Sequence, residues 1–306
     1  MTAEPSILDN RPFRKMNGLG NDFIIVDLRG QKDRPTAEAV TNVSNRATGI
    51  GCDQFIAITD GPADSGAAKK DTNDTGRAFM DIWNVDGSKA GACGNAARCV
   101  ALILMDEQGS DDIVFDTPSG PLTGRRVTEG PRAGAITVDM GPPRFEWDAI
   151  PLSEPAEDTR FVDVKLGPID APVLWGPSAL SMGNPHCVFF VEDAEAQALD
   201  RFGPLVEHHP LFPEGVNVSV AEAVSSEQIR LRVWERGVGI TKACGTAACA
   251  TLVAANRRRL TGRSAEIVLD GGSLWIEWVE NDHVLMTGPT ELEFEGVLDV
   301  SAPTSR

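Results

Sequence analysis

The chain has 306 residues, 42% of them hydrophobic and 24% charged, which is the composition of a globular protein long enough for two domains. Its net charge of −17 argues against a nucleic acid or an anionic membrane as partner, because either would need a basic face. No stretch approaches the roughly 18 apolar residues of a membrane span, and the polar first residues do not fit a secretory signal. We therefore expect a cytoplasmic protein, and the charge leaves a small zwitterionic substrate open.

Short runs rich in Val, Ile, Phe and Trp predict strands along the whole chain. In chain order they lie at 23–27, 54–59, 79–83, 113–117, 135–140, 186–191, 216–223, 229–234, 265–269, 274–279 and 283–288. The last strand-like run, 291–300, could return to either half of the protein. Residues 61–76 have no periodicity and many turn formers, which predicts a surface loop between two strands.

Two helices are predicted, and each follows a cysteine. In the first, apolar residues recur at helical spacing at Ala96, Cys99, Val100, Ile103 and Leu104. The second runs from Ala247 to about Ala255 and is apolar on nearly every side, which is typical of a helix that is buried all round. A curved antiparallel sheet around each helix would bury it in this way.

The segments that lead into these helices repeat one pattern. ACGNAARC (92–99) and ACGTAACA (243–250) share a Cys-Gly-polar-Ala-Ala phrase, and Trp83 and Trp234 each precede the cysteine by ten residues. Upstream, each half has a Gly-Asn followed by a β-rich run. We therefore predict an α/β protein of two pseudo-symmetric halves, one formed by 1–133 with 290–306 and the other by 134–289.

A cysteine at the start of a helix is suited to acid–base chemistry. The positive end of the helix dipole lowers the pKa of such a thiol from about 8.5, and the free N–H groups of the first turn can bind a carboxylate. Two such cysteines, Cys93 and Cys244, could face each other across one substrate. One thiolate would then remove an α-proton while the opposite thiol delivers a proton to the other face.

Most free cysteines are packing residues, and this alternative applies to the other four. They are Cys52, Cys99, Cys187 and Cys249. No Cys-x-x-Cys pair occurs, so the usual zinc spacings are absent and no metal site is predicted.

Seven motifs resemble those of the diaminopimelate epimerase family and occur in its order. They are NGLGNDF (17–23), GIGCDQ (49–54), WNVDGS (83–88), ACGNAARC (92–99), MGNPH (182–186), GVNV (215–218) and WERGVGITKACGTAACA (234–250). The resemblance implies two lobes, each a mostly antiparallel barrel-like sheet around a central helix, with the active site between them. It also implies a homodimer that interconverts LL- and meso-2,6-diaminopimelate, in lysine and peptidoglycan precursor synthesis, without pyridoxal phosphate or a metal.

The same resemblance assigns the site residues. Cys93 and Cys244 are the acid–base pair, His186 assists Cys93, and Glu235 assists Cys244. Gly94, Asn95, Gly245 and Thr246 hold the reacting carboxylate. Asn21 and Gln54 line the reacting centre. Asn84, Asn184, Asn217 and Arg236 grip the distal end of the substrate, with Arg236 as the carboxylate clamp.

Three other functions stay open on the residues alone. The chain could be a racemase or epimerase for another amino acid, such as a proline-like one. It could be a thiol hydrolase or acyltransferase that uses Cys93 with His186, although this leaves the second cysteine phrase unexplained. It could also be a two-lobed amino-acid-binding protein without catalytic activity.

Overall fold

The computed structural model describes residues 6–62, 77–168, 170 and 172–299. The chain divides into two compact units, Met1–Val138 with Pro289–Arg306, and Asp139–Gly288. The loop predicted at 61–76 lies almost entirely outside the described residues. No helix in the described part combines the length and the apolar character that crossing a membrane requires.

The secondary structure alternates short strands with four helices in the described chain. In order, the elements up to the unit boundary are β1 (Pro12–Asn17), β2 (Asp22–Asp27), α1 (Ala37–Ser44), β3 (Gln54–Thr59), β4 (Phe79–Asn84), α2 (Gly94–Gln108), β5 (Asp112–Thr117), β6 (Gly120–Arg126) and β7 (Ile136–Asp139). The remaining elements are β8 (Lys165–Leu166), β9 (Leu174–Trp175), β10 (Ser178–Ser181), β11 (Pro185–Phe190), α3 (Leu199–Glu207), β12 (Asn217–Ser225), β13 (Gln228–Glu235), β14 (Gly239–Thr241), α4 (Gly245–Arg257), β15 (Ser264–Leu269), β16 (Gly272–Trp278), β17 (Val284–Gly288) and β18 (Glu291–Val297).

The first unit is built on a mixed sheet. Its hydrogen-bonded order is β7-β6-β5-β4-β3-β2-β1-β18, so the last strand of the chain pairs with the first. The pairs β2/β3 and β4/β5 are parallel and the other described pairs are antiparallel. Helix α1 connects the first parallel pair and α2 the second, as parallel neighbours require a crossover.

The second unit repeats this arrangement. Its order is β10-β11-β12-β13-β15-β16-β17, with β14 added beside β13. The pairs β11/β12 and β13/β15 are parallel, and α3 and α4 connect them. Both units therefore have the same strand order, the same two parallel pairs and a helix in each crossover. The predicted pseudo-symmetry of a mostly antiparallel α/β fold is confirmed.

The helices that follow the two cysteines are buried within their own units. In α4 every residue from Gly245 to Ala255 is buried, and the helix contacts β10 to β13 as well as β15 to β17. Helix α2 packs on β5 and β6 and ends at Gly109, whose left-handed φ of 62° terminates it. Burying one large apolar side chain stabilises the fold by about 1.5–3 kcal/mol, so these helices are major parts of each core.

Several elements were not predicted from the sequence. They are α1, α3, β1, β6, β8, β9, β10 and β14. Helix α3 has the sequence LDRFGPLVE, in which an internal glycine and Pro204 both oppose a helix. It forms because its apolar side packs on β12 and β13 in the second unit.

Candidate active site

Cys93 caps the N-terminus of α2. Its backbone is extended, with φ −152° and ψ 103°, and its Sγ accepts a hydrogen bond from the backbone N–H of Ala96 at 3.5 Å. The thiol is partly exposed, unlike the other cysteines. Two residues on, the buried Asn95 accepts a hydrogen bond through Oδ1 from Nη1 of the fully buried Arg98 at 3.0 Å. The start of α2 therefore combines a thiol, a buried amide and a buried cation.

Cys244 occupies the corresponding position at the start of α4. Its backbone is also extended, with φ −131° and ψ 110°, but the residue is buried. Its Sγ lies 3.5 Å from Oγ1 of Thr246. Burial raises the pKa of the Cys244 thiol well above its usual range, and the negative charge of Glu235 raises it further, although Thr246 opposes this. The expected lowering of the thiol pKa is therefore wrong for Cys244, because burial and a carboxylate outweigh the helix start.

Glu235 and Arg236 are held by the turn between β13 and β14. Oε1 of Glu235 accepts a hydrogen bond from the hydroxyl of Thr241 at 2.5 Å. The backbone N–H of Arg236 donates to Oδ1 of Asn217 at 3.0 Å, and its Nη1 donates to the carbonyl of Glu214 at 3.0 Å. Asn217 also donates through Nδ2 to the carbonyl of Pro185 at 2.9 Å. The Asn217 amide thus fixes the Arg236 backbone through Oδ1 and the Pro185 backbone through Nδ2.

His186 is fully buried and linked by hydrogen bonds toward Cys244. Nδ2 of Asn184 donates to Oγ1 of Thr246 at 3.3 Å, so Oδ1 of Asn184 faces His186 and accepts from its Nε2–H at 2.9 Å. Burial lowers the pKa of His186 to about 3, and the charge of Arg236 adds to this, so the imidazole is neutral. Its Nδ1 is an acceptor without a hydrogen-bond partner among the described residues.

The predicted polar residues of the first unit lie at one end of its sheet. Gln54 begins β3, and its neighbour across the ladder is Asn84, the last residue of β4. Nε2 of Gln54 donates to Oδ1 of Asn84 at 3.2 Å. Asn21 immediately precedes β2, which pairs with β3 at Phe23 and Gln54.

The loop that carries Asn21 also lies against the start of α2. A Cβ placed on Gly18 would come within 3.0 Å of the carbonyl oxygen of Asn95. The first unit therefore brings Asn21, Gln54 and Asn84 to one end of its sheet, with the Asn21 loop beside the start of the Cys93 helix. The second places Thr246 and Glu235 beside Cys244, joins His186 to Thr246 through Asn184, and joins Asn217 to Arg236.

Sequence reasoning missed the charged residues that support these groups. In the first unit they are Lys15, Asp22, Arg46 and Asp53, which form one ion-pair cluster. In the second, Oε2 of the buried Glu207 accepts from Nε1 of Trp234 at 2.6 Å, and its Oε1 accepts from the backbone N–H of Gly237 at 2.7 Å. The only sequence signal was the position of Asp22 and Asp53 beside predicted site residues.

No group of three or more His, Cys, Asp or Glu side chains in the described part of the chain is arranged to hold a metal ion. Independence from metals and from pyridoxal phosphate stays a prediction.

The fold is shared with solved structures of low sequence identity. A solved hydroxyproline epimerase from Agrobacterium vitis superposes with a TM-score of 0.63 at 14% sequence identity, covering 98% of this chain and 95% of that one. At this identity the likeness shows the fold alone, a protein of two units with this strand arrangement.

Sequence comparison identifies the family. The diaminopimelate epimerase family model matches residues 13–146 and 178–293. A diaminopimelate epimerase from Phenylobacterium zucineum is 50% identical over 288 residues, covering 94% of this chain and 98% of that protein. One from Caulobacter vibrioides is 50% identical over 299 residues, with the same coverage. The chain belongs to the diaminopimelate epimerase family and is an enzyme of the isomerase class, as the seven motifs predicted.

Proposed function

We propose that this enzyme interconverts LL- and meso-2,6-diaminopimelate by proton transfer between the substrate α-carbon and two cysteines, Cys93 and Cys244. The relatives at 50% identity that bear the name diaminopimelate epimerase support the substrate. One structural observation carries the chemistry: in each unit a cysteine in extended conformation caps a buried helix and is followed by a glycine. That arrangement puts a thiol beside free backbone N–H groups twice in one chain.

In the proposed reaction the substrate carboxylate is held by the first N–H groups of both helices, at Gly94 and Asn95 and at Gly245 and Thr246. A thiolate on one cysteine takes the α-proton, and the thiol on the other gives its proton to the opposite face, so that the configuration inverts. The two cysteines exchange protonation states in each turnover. The backbone donors also stabilise the negative charge that develops on the carboxylate as the carbanion forms.

We assign the protonated role at rest to Cys244 and the thiolate role to Cys93. Cys244 is buried beside the Glu235 carboxylate, which keeps its proton in place and can accept a hydrogen bond from the thiol. His186 is proposed to assist Cys93. Its imidazole is neutral and its Nδ1 is an acceptor, which suits a hydrogen bond from the Cys93 thiol that forms once Cys93 has taken the α-proton.

The distal end of the substrate is assigned to Asn84, Asn184 and Arg236, with Asn217 as the residue that fixes the Arg236 backbone. A guanidinium is suited to a carboxylate because it can donate two parallel hydrogen bonds. Arg236 in this role needs a substrate with a second carboxylate. Diaminopimelate has one and a proline-like substrate does not, so the assignment favours diaminopimelate.

Deuterium exchange tests the proposed function. The reduced enzyme is incubated with LL-diaminopimelate in D₂O, and we expect deuterium at an α-carbon together with formation of the meso isomer. Proline under the same conditions is expected to show no exchange. Absence of exchange into diaminopimelate would overturn the proposal, and exchange into proline alone would reassign the substrate.

We also propose that the enzyme works in the cytoplasm as a homodimer. No disulfide joins the six described cysteines, which agrees with a reducing compartment. β18 ends the strand order of the first unit, and the apolar side chains of Leu292, Phe294 and Val297 on it are each about half exposed or more. An exposed apolar edge strand favours pairing with a second copy, since isolated edges of this kind promote association.

A further inference from the structure

We propose that two carboxylates, Asp53 and Asp86, are positioning residues that turn the amides of Asn21 and Gln54 so that both present a carbonyl oxygen to the substrate α-ammonium. The inference rests on the proposed function, because it takes Asn21 and Gln54 to line the reacting centre. What is new is which end of each amide faces the substrate, and which residues determine that orientation. An amide can present either an acceptor or a donor, so something outside the amide must select its orientation.

Asp53 orients Asn21. Its Oδ2 accepts hydrogen bonds from Nδ2 of Asn21 at 2.9 Å and from the backbone N–H of Asp22 at 3.0 Å. A carboxylate can only accept, so the NH₂ end of Asn21 must face Asp53 and Oδ1 must point away from it. Asp53 is itself fixed by Arg46, whose Nη2 lies 2.8 Å from its Oδ1 and 2.7 Å from Oδ1 of Asp22.

The charge cluster around Asp53 resists reorientation. Lys15 is buried and its Nζ lies 2.8 Å from Oδ2 of Asp22. Although partial burial opposes it, hydrogen bonds from Arg46 and Lys15 hold the pKa of Asp22 well below its usual range. Asp22 in turn holds the backbone of Asp53, since its Oδ1 accepts a hydrogen bond from the Asp53 N–H at 2.9 Å. The carboxylate that Asn21 meets is thus held on both sides.

Asp86 orients Gln54 through two intermediates. Oδ1 of Asp86 accepts from the hydroxyl of Ser88 at 2.6 Å, so the Ser88 oxygen is left to accept from Nδ2 of Asn84 at 3.0 Å. Oδ1 of Asn84 then accepts from Nε2 of Gln54 at 3.2 Å. Because the Asp86 carboxylate can only accept, the direction of each hydrogen bond in this series is fixed, with Gln54 as the first donor. Hydrogen bonds from Ser88 lower the pKa of Asp86, which keeps it ionised at neutral pH.

In both amides the NH₂ end therefore donates a hydrogen bond to the protein. The groups turned outward are Oδ1 of Asn21 and Oε1 of Gln54, at the adjoining ends of β2 and β3. An ammonium group has three donors and no acceptor, so two acceptors side by side are suited to it and poorly suited to a carboxylate. The pair thus distinguishes the amino group from the carboxylate at the reacting carbon.

Asp53→Asn tests the inference. An asparagine can turn a donor toward Asn21, whose amide then rotates and loses its acceptor. Because the ammonium is bound in both ground and transition states, we expect KM for LL-diaminopimelate to rise about 10-fold, with a smaller change in kcat. In an Asn21→Ala background the same substitution should leave KM unchanged, because Asp53 acts only through Asn21.

The matched control is Asp27→Asn, which removes a carboxylate of the same unit that pairs with Arg29. It should leave KM unchanged. If Asp53→Asn does not fold, as judged by circular dichroism, the exposed Asp86→Asn replaces it, with Gln54→Ala as its background.

Three results would count against us in different ways. An active wild type with unchanged KM in folded Asp53→Asn overturns the inference and leaves the proposed function standing. An equal rise in KM with and without the Asn21 side chain also overturns it. A wild type that does not turn over diaminopimelate overturns the proposed function itself.

Discussion

The two cysteines have the same backbone position but different surroundings. Cys93 is partly exposed, while Cys244 is buried beside Glu235. The proposed two-base inversion needs one thiol and one thiolate, with the two roles exchanged in the reverse direction. Unequal surroundings would therefore favour the resting state that is ready for one of the two isomers.

Replacing either cysteine should stop the reaction. We expect Cys93→Ala and Cys244→Ala each to lower kcat by roughly 10²–10⁴-fold, since each removes an acid–base group. The measurement is the rate of meso-diaminopimelate formation. The control is Cys99→Ala, which removes a buried thiol of α2 whose pKa burial raises to about 12. Full activity in either of the first two variants contradicts the two-base scheme.

The charge of Glu235 should be visible in the titration of Cys244. Because a nearby negative charge disfavours the thiolate, Glu235→Gln is expected to lower the thiol pKa. The measurement is the pH dependence of Cys244 alkylation in a Cys93→Ala background, followed by mass spectrometry. Its midpoint should move to lower pH. A midpoint that stays in place, or moves up, would show that Glu235 does not act on Cys244.

Among the elements, α3 has a clear structural role in the second unit. Its Glu207 carboxylate binds both the Trp234 indole and the backbone of Gly237, which flank Glu235 and Arg236. Gly203 of the same helix lies directly on the Trp234 ring, and a Cβ there would come within 2.6 Å of it. The helix thus sets the position of the turn that carries two site residues.

Gly203→Ala should therefore destabilise the protein, because the added methyl group must displace either α3 or Trp234. We expect a loss of about 1–3 kcal/mol in the free energy of unfolding, measured by urea denaturation. Gly262→Ala is the control, since a Cβ at Gly262 meets open space, and its effect should stay within about 0.5 kcal/mol. Equal stability of the two variants would mean that the contact with Trp234 does not restrain α3.

At the scale of the whole molecule, the two units share a set of structural elements. Both have two parallel strand pairs, a helix in each crossover and a cysteine at the start of the second helix. The last strand, β18, lies at the edge of the first unit and has no counterpart among the described strands of the second. Its exposed apolar side chains are the feature on which the proposed association between copies rests.

Phe294→Glu should convert a dimer to a monomer. A carboxylate at this half-exposed position would have to be desolvated in the interface, which disfavours association. Sedimentation equilibrium measures the change in mass. Val224→Glu is the control, because Val224 is similarly exposed but lies on β12 of the other unit. A Phe294→Glu protein that stays dimeric places the interface elsewhere.

The sequence by itself determined the features that depend on local pattern. The sequence predicted the two buried helices that follow the repeated cysteine phrase, and the strands rich in Val, Ile and Phe. It could do so because side-chain periodicity and helix starts are set by residues within one or two turns of each other. Family motifs extended this to the enzyme class. The run at 291–300 was predicted to be a strand and 290–306 to belong to the first half, but pairing with the first strand was not predicted.

Tertiary structure alone decided what depends on residues distant in the chain. It placed β18 beside β1, formed α3 despite Gly203 and Pro204, and surrounded Cys244 with enough protein to raise its pKa. It also joined Asn21 to Asp53, 32 residues away. Burial and charge at a site are sums over neighbours brought together by folding, and a pattern along one strand or helix does not contain those neighbours.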